Sequence, residues 1–386
     1  MQPIDGGFLK DNLGFEELHS LLESVFGLKS KEASLTLMVD LPNSHLRDNS
    51  AWSDRRRVAE EWFSTLSARS SELSFDTILL CTYENVGTNN NDLPHQICVA
   101  QSEGKCPYFP GEEVSLEKIL KASSVVIAPT ELSATAPLKN LAKSLGFRGA
   151  TMPGFTRQMI PSLLLDYEKV NARVMSLKSR LDRAVGSVIE LVADGTTYSL
   201  FVDLRYRSAH ASGGLMREDG TVANLPSGEA YIVPYEGERA GDLSRTNGVL
   251  PVQFGDEIVL HRIEGNRATS VLSSGEQSDQ ERSRLQREPA YGNIAELGLG
   301  VLGEWGVRAM GSILLDEKLG LHIAFGRSEH FGGVTGPAAF MKPENVIHID
   351  RVYVPSCQPR INPLRVSLSY EGGEIELIME NGEYRI

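Results

Sequence analysis

The chain has 386 residues, 41% of them hydrophobic and 23% charged, which is length enough for two domains and the composition of an ordinary globular protein. A net charge of −13 argues against a nucleic-acid partner, because a phosphate backbone needs an excess of Lys and Arg on the contact face, and it suits a protein that binds cations or amines. No apolar run reaches transmembrane or signal-peptide character, and Cys81, Cys98, Cys106 and Cys357 form no C-x-x-C pair; they read as reduced thiols of a cytoplasmic protein with no membrane partner.

In chain order, the first half alternates β-rich and amphipathic stretches. "ASLTLMVDLP" (33–42), "SFDTILLCTYE" (74–84) and "SSVVIAPTE" (123–131) read as strands. Between the first two, "RRRVAEEWFSTLSARSSEL" (55–73) carries Val58, Trp62, Phe63 and Leu66 at helical spacing. A helix closed by Gly146 and a short strand follow, and then a single long helix over 161–185 opened by Pro161. Such alternation predicts a parallel, helix-covered sheet. After Gly186 the texture turns β-rich: "SVIELVADGTTYSLFVDLRY" (187–206) holds an Asp-Gly hairpin signal, and the C-terminus holds an Asn-Gly one. The polar segment 273–289 lacks an apolar stripe and reads as an exposed loop. The fold class expected is therefore α/β, with an N-terminal parallel α/β domain over 1–185 followed by a β-rich α+β metal-binding domain over 186–386.

"GLGVLG" (298–303) fits the G-x-G-x-x-G dinucleotide pattern, with Asp316 or Glu317 downstream, but the following segment carries Gly306 and Gly311 and lies in the β-rich half, so it reads as a turn. No P-loop, G-x-S-x-G or H-E-x-x-H motif occurs. In "LGLHIAFG", His322 sits inside an apolar strand, where a hydrogen-bonded core histidine and a metal ligand are both open readings. In "NVIHIDRVY", His348 and Asp350 are two residues apart, so on a strand they face the same way. Glu229 precedes the apolar "AYIVP", and Glu296 is the one charge in "YGNIAELGLG". A buried carboxylate needs a partner, and a cation would supply it. Glu229, Glu296, His322, His348 and Asp350 thus form a mixed N/O set suited to one divalent metal, or to two sharing a carboxylate.

"NLPSGEAYIVP", "NIAELGLG", "LLDEKLGLHIAFG" and "HIDRV", in this order, resemble the M29 metallo-aminopeptidases of the aminopeptidase T or aminopeptidase S type. The likeness runs from "VVIAPTELSAT" and "ATMPGFTRQMIPSLLLDYEKV" to the terminal "IMENGEYRI". It implies an α/β N-terminal domain, a dinuclear centre in the C-terminal domain and a homodimer. The implied ligands are the same five residues, with Glu229 bridging, Glu296 and His322 on one metal, and His348 and Asp350 on the other. The implied activity is cleavage of a peptide or small amide substrate by water activated on zinc, cobalt or manganese. Two positions depart from the family: Gly228 stands where a second glutamate is common, and Glu329, followed by His330, stands where a tyrosine lies near the metals. Glu329 and His330 are the candidate proton carriers. The sequence is also similar to the 2,5-dihydroxypyridine dioxygenases, which use one ferrous iron on two histidines and a carboxylate, but Ala134 replaces their histidine in "ELSAT". A relative that binds peptides without turnover is the third reading.

Overall fold

The structure is a computed structural model that describes residues 11–100 and 112–386; Cys106 lies outside the described residues. The chain divides into two compact units, Met1–Asn171 with Gly214–Ser227, and Ala172–Gly213 with Gly228–Ile386. The sequence boundary of 185/186 falls at the start of the strand Ala184–Ala193, just after the helix Tyr167–Arg183. The units divide inside that helix, and 214–227 returns to the first unit because its strand joins the first sheet.

The first unit is built on β1 (Glu32–Leu41), β2 (Phe75–Glu84), β3 (Gln96–Val99), β4 (Glu112–Ser115), β5 (Val125–Ala128), β6 (Arg148–Thr151) and β10 (Val222–Asn224), in the order β10-β6-β5-β1-β2-β3-β4. The five strands β10, β6, β5, β1 and β2 are parallel, as the alternating pattern predicts, whereas β3 and β4 add an antiparallel edge. Helices α1 (Phe15–Phe26), α2 (Ser50–Ala68), α3 (Leu116–Ala122) and α4 (Thr135–Leu145) accompany this sheet. Asn49 caps α2 by accepting from the Trp52 amide, and Trp52, Val58, Trp62 and Leu66 form its buried stripe. The helix expected over 161–185 is two: α5 (Ile160–Leu163) stops, and α6 (Tyr167–Arg183) restarts where Asp166 accepts from the Lys169 amide. An N-cap of this kind was hidden inside an unbroken helical pattern.

The second unit carries two antiparallel sheets. The larger has the order β14-β13-β12-β8-β7-β18-β19-β20, from β7 (Ala184–Ala193), β8 (Thr196–Asp203), β12 (Asn247–Phe254), β13 (Glu257–Glu264), β14 (Arg267–Val271), β18 (Ile361–Tyr370), β19 (Ile375–Glu380) and β20 (Glu383–Tyr384). Both hairpin signals hold: Asp194-Gly195 and Asn381-Gly382 all have positive φ, as a two-residue turn of type I′ requires. The smaller sheet has the order β17-β16-β15-β11-β9, from β9 (His210–Ser212), β11 (Glu229–Ile232), β15 (Ile294–Gly300), β16 (Leu321–Gly326) and β17 (His348–Val352). Leu297, Leu299, Ile323 and Phe325 are fully buried on its back, where Phe325 meets His261 of β13.

Two sequence readings are corrected here. Segment 273–289 is not a loop but contains α7 (Glu276–Arg287). Its buried side is mostly polar, with Leu285 its one buried apolar residue: Ser278 bonds Glu257, and Glu281 bonds His261 and Tyr291. Acidic Glu276 and Asp279 in its first turn and basic Arg284 and Arg287 in its last suit the helix dipole. "GLGVLG" is a turn only in its second half: Gly298 and Gly300 lie inside β15, and a 3-10 turn covers Leu302–Trp305.

Candidate metal centre

Strand register gathers the candidate side chains on one face of the five-stranded sheet. Directly opposed residues in an antiparallel sheet share a face. One row runs His210, Tyr231, Gly298, His322 and Val352. A neighbouring row runs Glu296, Ala324 and Asp350, the next pairs Gly326 with His348, and on the other side Glu229 opposes Gly300. Period-two alternation therefore turns Glu229, Glu296, His322, His348 and Asp350 toward one surface while Ala230, Leu297, Ile323 and Phe325 face the core.

The glycines make room. A Cβ at Gly298 would sit 1.9 Å from His322 Nε2, so the imidazole leans across the backbone of β15 where any other residue would block it. At Gly300 a Cβ would lie 2.2 Å from the Lys318 carbonyl carbon, which lets the segment Glu317–Leu319 close on the strand. What resembled a phosphate loop in the sequence is a clearance for the centre.

Two donor groups result, Glu229/Glu296/His322 and Glu296/His348/Asp350, with the ligand atoms of each within 4.8 Å of one another. Glu296 Oε1 is 3.2 Å from His322 Nε2, and its Oε2 is 3.4 Å from His348 Nε2. Asp350 Oδ1 lies 3.6 Å from His348 Nε2, and Glu229 Oε2 lies 3.6 Å from His322 Nε2. Glu296 is common to both donor groups, while the family resemblance implies Glu229 as the bridge. Each imidazole is oriented from behind: His322 Nδ1 pairs with the Gly320 carbonyl at 3.2 Å and His348 Nδ1 with the Arg327 carbonyl at 2.7 Å. That leaves Nε2 of both rings for the carboxylates, the arrangement found around metal-binding histidines.

Lys318 and Glu317 are members of the cluster that sequence reading did not assign to it. The Lys318 ammonium is buried, 2.5 Å from Glu229 Oε1, and also pairs with Glu317. A lysine inside the apolar "LLDEKLGLHIAF" was the available signal, since a buried ammonium demands a carboxylate. Four carboxylates (Glu229, Glu296, Glu317 and Asp350) meet one ammonium, and the surplus negative charge governs the protons. Burial disfavours both imidazolium ions, yet hydrogen bonds and charge from Glu296 raise His322 to about 9, and Asp350 with Glu296 raises His348 well above the usual range. Burial opposes ionisation of Glu296, but hydrogen bonds from His322 and His348 outweigh it and hold its carboxyl well below the ordinary value. Glu317 moves the other way, raised mainly by burial. Glu229 Oε2 remains buried without a hydrogen-bond partner. An orphaned carboxylate oxygen, oriented imidazoles and an unbalanced negative cluster fit divalent cations held by mixed N/O donors.

The "GRSEHFGG" loop follows β16. Glu236 clamps it, accepting from Ser328 Oγ at 2.5 Å and from Thr335 Oγ1 at 2.6 Å. His330 keeps an exposed edge while its ring lies 5.2 Å from the His348 ring. Packing there, then the neighbouring His348 and Arg327, lowers its pKa to about 4. Glu329 is exposed and pairs with Arg327 at 2.8 Å. Gly228 precedes β11, and its carbonyl accepts from the Val301 amide; Ala134 is a buried N-cap residue of α4 in the first unit.

No family model matches the sequence, and no curated protein matches it. Solved structures do. 2,5-Dihydroxypyridine dioxygenase from Pseudomonas putida KT2440 superposes with a TM-score of 0.58 at 15% identity, over 96% of this chain and 98% of that one. Wild-type AmpT from Thermus thermophilus gives a TM-score of 0.54 at 15% identity, over 96% of this chain and 99% of that one. At such identity the likeness is one of fold: over 96% of its length this chain has the mixed α/β architecture of both proteins.

Proposed function

We propose that the chain is a metal-dependent hydrolase of the aminopeptidase type, cleaving a peptide or small amide bond. The observation that carries this reading is the sharing of Glu296 between two donor groups, each with one imidazole and a further carboxylate. A mononuclear ferrous oxygenase instead needs two imidazoles and one carboxylate around a single ion. Glu229, Glu296 and His322 hold one cation, and Glu296, His348 and Asp350 the other; zinc, cobalt and manganese all suit such donors. When bound, the cations supply Lewis acidity, polarising a carbonyl and lowering the pKa of a water toward roughly 7.

The protein's own groups do the rest. Lys318 occupies Glu229 Oε1 and so directs Oε2 into the cluster. His330 stands beside His348 with a neutral ring at pH 7, able to take a proton from the attacking water and return it to the leaving amine. Glu329, paired with Arg327, has the weaker claim to that role. The resemblance to a dimeric family supports a homodimer, which light scattering at twice the 42.3 kDa chain mass would bear out. Among the described residues no helix is long and apolar enough to cross a membrane, and the thiols of Cys81, Cys98 and Cys357 are free; both accord with a cytoplasmic protein.

The test is a panel of aminoacyl amides and dipeptides offered to metal-stripped protein reloaded with zinc, cobalt or manganese. Amide cleavage that rises up to two equivalents of metal supports the reading. Oxygen uptake with ferrous iron and 2,5-dihydroxypyridine, without amide cleavage, overturns it in favour of the oxygenase.

A further inference from the structure

The row that holds His322 also holds a phenol with no assigned work. Tyr231 lies directly across Gly298 from His322, and it shares the face of β11 with Glu229 two residues earlier. Because Gly298 has no side chain, nothing on β15 separates the Tyr231 and His322 rings within that row. The tyrosine ring is fixed on two sides. His210 stacks on it at 5.1 Å with 22° between the planes, and Phe331 meets it edge-on at 5.0 Å. Those two neighbours are tied together, since His210 Nε2 pairs with the Phe331 carbonyl at 2.9 Å, and Phe331 in turn packs 5.5 Å from the His348 ring. The phenol is therefore held by the same loop and strands that shape the donor groups.

We propose that Tyr231 is a catalytic residue of this centre, the hydrogen-bond donor for the oxygen of the amide being cleaved. The inference rests on the hydrolase reading above. In the step it serves, the water oxygen adds to the carbonyl carbon and the C=O π pair moves onto the carbonyl oxygen. That oxygen accepts the Tyr231 O–H as a hydrogen bond without taking its proton. The C–O π bond then re-forms, the C–N bond breaks with its pair going to nitrogen, and the nitrogen takes up the proton that left the water. Products are an amine and a carboxylic acid, which gives its remaining proton to solvent and leaves as the carboxylate. A donor must stay protonated to act this way. A phenol ordinarily ionises only near about 10, so it holds its proton across the working range. Rigidity matters as much, because a donor aimed in advance at the developing oxyanion needs no reorganisation during the reaction.

The test is Tyr231→Phe, which keeps the ring that His210 and Phe331 grip. Wild type and variant are loaded with zinc to the same content, checked by elemental analysis. Each is assayed on the best amide of the panel, and each is titrated calorimetrically with L-leucinephosphonic acid, a tetrahedral analogue, and with L-leucine. Loss of one preorganised donor is expected to lower kcat by roughly 10²–10³-fold, with KM changed less than about 3-fold. Phosphonate affinity falls about tenfold or more, leucine affinity stays within about 3-fold, and zinc content is unchanged. An active wild type with an equally active variant overturns the inference and leaves the hydrolase reading standing. Equal weakening of both ligands, or loss of zinc, overturns it too by making Tyr231 structural. A zinc-loaded wild type that cleaves no amide and binds no phosphonate removes the hydrolase reading and this inference with it.

Discussion

The small sheet of the second unit buries ionisable groups on both of its faces, and the two clusters differ in one respect. On the back, Glu281 accepts from Tyr291 Oη at 2.7 Å and pairs with His261 at 3.3 Å, while its other oxygen lies 3.4 Å from Arg284. Burial of Glu281 is outweighed by His261, Tyr291 and Arg351, and its carboxyl sits below the ordinary value. Every carboxylate oxygen there has a partner within the chain. On the front, Glu229 Oε2 accepts no hydrogen bond and has only His322 Nε2 at 3.6 Å, and four carboxylates share a single ammonium. A carboxylate with both oxygens met within the chain is architecture, although His261 Nδ1 itself lacks a hydrogen-bond partner; a carboxylate with an unmet oxygen is a candidate for a cation. The contrast lets His322 be read as a ligand and His261 as a core histidine although both are fully buried.

The contrast can be broken by mutation, beginning with the largest effect. Glu296→Gln removes the carboxylate common to both groups. It should abolish bound metal and turnover together while leaving the circular dichroism spectrum in place; retained metal in that variant would show that Glu296 is not the shared ligand. His322→Ala should behave alike, and unchanged metal content there would return His322 to the core. His330→Ala should keep its metal yet lose roughly 10²–10⁴-fold in rate, as for a lost acid–base group. A wild-type rate and pH profile would take the loop out of the mechanism.

Glu281→Ala tests the closed cluster. Stripping the partner from buried His261 and Tyr291 should cost about 3 kcal/mol in urea denaturation with metal content untouched. Metal loss there would join the two faces into one system. Its pH dependence has a definite sign. The folded Glu281 carboxyl binds its proton less readily than the unfolded one, so its contribution is fully present above the unfolded value, near 4.5. It fades as pH falls toward and through the folded value, so the stability gap between wild type and Glu281→Gln should narrow in acid. The smallest effect is expected at Glu329→Gln, where an exposed pair with Arg327 should change activity less than about 3-fold; a larger fall in rate would restore Glu329 as the proton carrier.

Much of this arrangement was legible in the sequence. Period-two spacing put His348 and Asp350 on one side of a strand, and isolated charges in apolar runs marked Glu229, Glu296 and His322. Turn chemistry gave both hairpins, and alternation gave the parallel sheet. What stayed hidden depends on contacts between distant segments. Helix α7 buries serine and glutamate against partners on β13 and at Tyr291, so hydrophobic periodicity could not find it. Gly298 and Gly300 serve as clearances for residues some 20 positions later in sequence, and read alone they look like a turn. Lys318 and Tyr231 join the centre only through strand register, and the break between α5 and α6 follows from one side-chain cap at Asp166.

The central claim is that Glu296 joins two cation positions. Calorimetric titration of metal-stripped wild type with zinc, repeated on Asp350→Ala, tests it most directly. The account expects about two zinc ions per wild-type chain and about one in Asp350→Ala, held by Glu229, Glu296 and His322. A single zinc ion per wild-type chain, lost outright in Asp350→Ala, would contradict it and leave one mononuclear site built on both histidines.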